Sequence, residues 1–138
     1  MRYGMAVGIL AAGLIIGGCG GETSEINKVI GAYGRALAAG DGDRACRLMT
    51  AEGRASIVRD NKWSGVRSCR ELAPLLKTMA TEEELRDLRH LRLKGVKVTG
   101  DRAVGQMAEA HALTRTGDAR LRRIDGRWLL DDAHPERR

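Results

Sequence analysis

The feature that most constrains the fold is a change of hydrophobic period at His90. Before it, apolar residues recur at helical spacing; after it they alternate, as they do in strands. Helices first and a meander last imply an α+β architecture, with N-terminal helices packed on a C-terminal curved antiparallel sheet.

Ile26, Val29, Ile30, Tyr33 and Leu37 form one apolar stripe, which predicts a helix from about Glu25 to Ala39. Ser24 caps its start and Gly40 is a natural stop. Asp41-Gly42-Asp43 makes a turn, and Asp43 caps a second helix carrying Ala45, Cys46, Leu48 and Met49. Thr50 caps a third, from Ala51 to Arg59, with Ile57 and Val58 as apolar contacts. Asn61 to Val66 read as a loop with Trp63 as its packing anchor. Ser68 and Glu71 form a capping-box pattern. The helix they open places Cys69, Leu72, Leu76 and Met79 on one side, and Pro74 inside it should kink or split it. Thr81 and Glu84 repeat the pattern before a short helix to Arg89, whose leading Glu82-Glu83-Glu84 complements the helix dipole.

Two-residue turns at Gly100-Asp101, Gly117-Asp118 and Asp125-Gly126 predict strands near residues 91–99, 102–114, 119–124 and 127–132. The last turn sets Arg123 opposite Trp128 and Leu121 opposite Leu130 on one face, with Arg123 over the indole. Arg120 then faces Asp131 on the other side, with Arg122, Ile124, Arg127 and Leu129. Carried through Gly117-Asp118, this register puts Val104, Gln106, Ala108, Ala110, Ala112 and Thr114 on the Trp128 face, and Met107, Glu109, His111 and Leu113 on the other. The Gly100-Asp101 hairpin disagrees, setting Val96 and Val98 with Ala103 and Met107 on the Glu109 side; one bulge reverses the assignment.

The chain opens with Met1-Arg2-Tyr3, an uncharged apolar run from Gly4 to Ile16 and the small pair Gly17-Gly18, the layout of a secretory signal. The run falls short of the ~20 residues of a membrane-spanning helix. Ile16-Gly17-Gly18-Cys19 resembles the lipobox of bacterial lipoproteins. The resemblance implies a diacylglyceryl group on the Cys19 sulfur and cleavage before it, with cell-membrane anchoring on the extracytoplasmic face. Two acyl chains hold stably where one binds marginally. The expected organisation is a signal peptide over residues 1–18, a lipidated polar tether over 19–24, a domain over 25–132 and a flexible tail over 133–138. The five residues after Cys19 reach at most ~18 Å.

Cleavage leaves 23 basic against 18 acidic residues. Basic charge invites a nucleic-acid reading, but the export signal and the scarcity of aromatic residues for base stacking point away from it. Attraction to anionic lipid or an anionic envelope polymer, or a merely solvated arginine-rich surface, fits better. Cys46 and Cys69 remain, and export would expose them to an oxidising compartment. They are expected to pair as a helix-to-helix disulfide contributing roughly 3 kcal/mol; the alternative is two unpaired buried thiols.

Tyr33-Gly34-Arg35-Ala36-Leu37, Gly40-Asp41, Ala45-Cys46, Ser68-Cys69, Val96-Lys97-Val98-Thr99-Gly100-Asp101 and Ile124-Asp125-Gly126-Arg127-Trp128, in that order, resemble the nuclear transport factor 2-like superfamily. Many exported actinobacterial lipoproteins carry such a domain. The resemblance implies a cone-like α+β barrel, a curled sheet wrapped around helices and often enclosing a pocket. Some members are isomerases, cyclases or dehydratases, and many only bind. The chain has no phosphate loop, nucleophile motif or metal-ligand spacing among His90, His111 and His134, and no cofactor is expected. The primary expectation is a non-catalytic domain that binds a small apolar ligand or an envelope protein. The alternative is a pocket enzyme of isomerase or hydrolase type using Glu109 and His111 as an acid/base pair, with Tyr33 orienting the ligand.

Overall fold

A computed structural model describes residues 19–107 and 117–135. Among these, five α-helices come first: α1 (Cys19–Ala39), α2 (Gly42–Arg47), α3 (Ala51–Asp60), α4 (Cys69–Met79) and α5 (Glu82–Arg89). A 3₁₀ turn at Lys62–Ser64 follows α3. Four strands complete the order: β1 (Leu93–Thr99), β2 (Arg102–Met107), β3 (Gly117–Ile124) and β4 (Arg127–Pro135). They pair as an open antiparallel meander, β1-β2-β3-β4. The fold is α+β, helices first.

Helix α1 starts six residues before Glu25, so the stretch expected as a tether is its opening turns. Glu22 in that first turn lies 3.2 Å from Arg123 at the end of β3, which ties the helix start to the sheet. Asn27 accepts the Leu93 N–H at 2.8 Å and ties α1 to β1 as well. The stripe Ile26, Ile30, Tyr33 and Leu37 is buried as its spacing requires. Gly34 brings α1 against the end of α5, where any Cβ would collide with the Leu88 carbonyl. Gly40, at φ +71°, ends the helix in the left-handed conformation.

Thr50 caps α3, and Thr81 and Glu84 form a complete capping box on α5. Asp41, not Asp43, caps α2; Asp43 instead pairs with Arg70 of α4 at 2.6 Å. The Ser68 side chain makes no cap bond, and the Glu71 carboxylate accepts the Arg67 N–H at 2.7 Å instead of the Ser68 N–H of a capping box. Helix α4 runs unbroken through Pro74. Proline deprives the Arg70 carbonyl, four residues earlier, of its helical donor. The backbone of Gly42 packs against that same carbonyl, so closely that a Cβ there would collide with it. Trp63 is 77% exposed and anchors nothing, since its 3₁₀ turn stands out from the surface. Met79, in the last turn of α4, is exposed too.

The sheet buries Ala103, Ala119, Leu121, Trp128 and Leu130 against the helices. Ala103 pairs with Leu121, and Gly105 with Ala119. Val104 and Gln106 therefore lie on the outer face, the reverse of the register carried through Gly117-Asp118. Those two residues form no turn: they open β3 and pair with Pro135 and His134. The Gly100-Asp101 hairpin gives the correct parity, with Thr99 opposite Arg102 and Val98 opposite Ala103. Strand β4 continues past residue 132, so Ala133 to Pro135 are paired rather than a loose tail. A bulge between Arg120 and Leu121 leaves Asp131 unmatched, so Arg120 faces Asp132 and not Asp131. Ala108, Glu109, Ala110, His111, Ala112, Leu113 and Thr114 lie outside the described residues, as do 1–18 and 136–138.

Candidate functional site: a cleft between helix α3 and the outer sheet face

Helix α3 is placed by the backbone leading into it. The Thr50 N–H donates to the Leu130 carbonyl and the Leu130 N–H to the Leu48 carbonyl, both at 2.9 Å. These bonds make a short parallel bridge on the outer edge of β4. Gly53 lets the helix settle on that strand, since a Cβ would stand 2.6 Å from the Leu130 carbonyl oxygen. The helix thus covers an edge that would otherwise present unpaired backbone.

The Thr50 hydroxyl is used twice. It accepts the Gly53 N–H at 3.0 Å and donates to Asp131 Oδ1 at 2.6 Å. The same carboxylate oxygen accepts from Arg122 Nη2 at 2.9 Å, and Arg122 also pairs with Glu52 at 3.1 Å. Ser56, buried on α3, lies 3.1 Å from Asp132 Oδ1 and 3.3 Å from Asp60 Oδ2; its one proton serves one of them at a time. The bulge makes this possible, because it brings both Asp131 and Asp132 toward α3.

Beside this network lies a half-open cleft of about 610 Å³. Glu52, Ser56 and Arg59 of α3 form one wall, and Arg102, Val104 and Arg120 of β2 and β3 form the floor. Burial works to raise the Asp131 carboxyl, but the Thr50 hydroxyl and the Arg122 guanidinium outweigh it, with Arg102 adding, and hold it below the ordinary carboxylate range. The Asp131 hydrogen bond and charge, joined by Glu52, push Arg122 further up. Both groups are charged at neutral pH.

The structure brings Cys46 and Cys69 to disulfide distance, with Cα atoms 5.9 Å apart. Cys19 is the first residue of α1. Tyr33 is buried in the core, where desolvation pushes its hydroxyl well above the ordinary tyrosine value. It makes no hydrogen bond to another described residue, and stays a neutral phenol. Glu109 and His111 lie outside the described residues. Arg123 does lie over Trp128, 5.3 Å from the ring centroid, and it also reaches Asp101 at 3.3 Å. Sequence reasoning found Thr50 as a cap but missed its bond to Asp131. The consecutive Asp131-Asp132 after the apolar run of β4 were the available signal, since paired acids cannot both keep the alternation. Among the described residues there is no group of three or more candidate metal ligands and no helix long and apolar enough to cross a membrane.

Neither a family model nor a curated protein matches this chain.

Proposed function

We propose that this protein is a membrane-anchored extracytoplasmic lipoprotein whose domain binds a ligand or an envelope partner without catalysing a reaction on it. Support for the anchor comes from Ile16-Gly17-Gly18-Cys19 after a short apolar run. The observation that carries the binding reading is the cleft, a concave site with exposed side chains above a rigid sheet. We further propose that the domain takes the cone-like nuclear transport factor 2-like form, and that the adjacent Cys46 and Cys69 are oxidised once exported. The enzymatic alternative rests on Glu109 and His111, which lie outside the described residues.

Fractionation of an exporting bacterial host tests the anchor. Wild-type chain is expected with the membranes, and Cys19→Ser chain in the soluble fraction. Unchanged membrane retention of the variant would sink the anchor.

A further inference from the structure

We propose that the α3–sheet cleft is an oxyanion site for a phosphate ester, gripped by Arg102 and Arg120 with Arg59 facing them. The inference deepens the binding reading above and does not depend on the anchor.

The carboxylates around the cleft are already engaged. Asp131 takes Thr50 and Arg122, Glu52 takes Arg122, and Asp132 takes Ser56. The arginines are not engaged to the same extent. Among the described residues Arg59 has a long contact with Asp60, 3.7 Å, at an exposed position. Arg102 and Arg120 are exposed and make no hydrogen bond or ion pair with any described residue.

Arg102 stands directly opposite Arg122 in the ladder, and Arg122 is itself held by Asp131 and Glu52. Arg120 sits opposite Val104, and therefore diagonal to Arg102, a spacing of about 7–8 Å between strands. Two guanidinium forks at that separation can converge on one tetrahedral anion, each presenting paired N–H groups. Val104, 40% exposed, stands on the same face two residues from Arg102. It offers an apolar contact for the carbon body of an ester, which inorganic phosphate would lack.

The source of the phosphate is either a soluble ester or an anionic lipid headgroup, and the experiment separates them. Full chain in non-ionic detergent would be melted at constant ionic strength with chloride, glycerol 3-phosphate, or mixed micelles of phosphatidylglycerol or phosphatidylcholine. Glycerol phosphate is expected to raise Tm above chloride in a concentration-dependent way. Arg102→Gln and Arg120→Gln should each weaken that response at least about tenfold, the loss expected for one charge-assisted contact. Arg86→Gln, on α5, should leave it within about twofold. Both cleft variants should melt within about 3 °C of the parent in chloride, since both sites are exposed, which separates lost binding from lost folding. Stabilisation by phosphatidylglycerol micelles alone, abolished by the same variants, assigns the site to a headgroup. No stabilisation by either phosphate source, or equal losses in Arg86→Gln, overturns the proposal. A chain that fails this test but partitions with membranes through Cys19 loses the oxyanion site and keeps the anchor.

Discussion

Asp131 is where burial, charge and backbone geometry meet. Its bulge position directs it to Thr50 and Arg122, and their bonds outweigh the cost of taking it from water. Because its folded-state value lies below that of the unfolded chain, about 3.9, its contribution is complete above that pH and is lost as pH falls through the folded value. Asp131→Asn should therefore flatten the acid limb of a urea-unfolding series below about pH 4. At pH 7 it should cost roughly 1.5–3 kcal/mol, the range for hydrogen bonds to charged groups. An acid limb parallel to wild type would contradict this account. Gly34 makes the complementary case. A methyl group there meets the backbone of Leu88 and, at 2.9 Å, the Cβ of Leu91, neither of which can rotate away. Gly34→Ala should lower stability by about 1–3 kcal/mol in chemical denaturation. A neutral result would mean that α5 shifts freely on α1. Local chemistry of this kind was partly legible: the Thr50 cap depends on neighbours in sequence, whereas its bond to Asp131 spans 81 positions and depends on a bulge.

At the scale of elements, the junction of α2 and α4 is fixed in three ways. Cys46 and Cys69 meet across it, Asp43 pairs with Arg70, and Gly42 packs on the Arg70 carbonyl that Pro74 leaves without a donor. The proline expected to break α4 is accommodated because a neighbouring helix covers the exposed carbonyl. The cysteines are 23 positions apart, and closing a loop of that size stabilises by about 3 kcal/mol. A reducing agent should lower the urea midpoint correspondingly, and Cys46→Ser with Cys69→Ser should reproduce the loss without it. Equal midpoints with and without reductant would show that the pair contributes nothing. Helix positions were legible because period and caps are local signals. Trp63 misled because a large aromatic residue in a loop usually seeks cover, and here the 3₁₀ turn holds it at the surface.

For the whole molecule, the order of elements followed from the change of period, but which face of the sheet met the helices did not. Two turn candidates gave opposite parities, and Gly117-Asp118, a plausible hairpin pair, pairs within the sheet instead. Strand partners across the sheet, rather than the residues themselves, settled that choice. A different consequence comes from the first turn of α1. With a diacyl group on Cys19, the anchor and Glu22 are three helical residues apart, a rise of about 5 Å. Arg123 clasps Glu22 and Asp101 together, so both hairpin tips, Gly100-Asp101 and Asp125-Gly126, lie at that end. The domain would then stand on the bilayer like a post set in its footing, not like a buoy on a line. Its cleft would hold a fixed height and heading, with the Arg102 end nearest the lipid, and a partner confined to the membrane plane would meet it in one orientation.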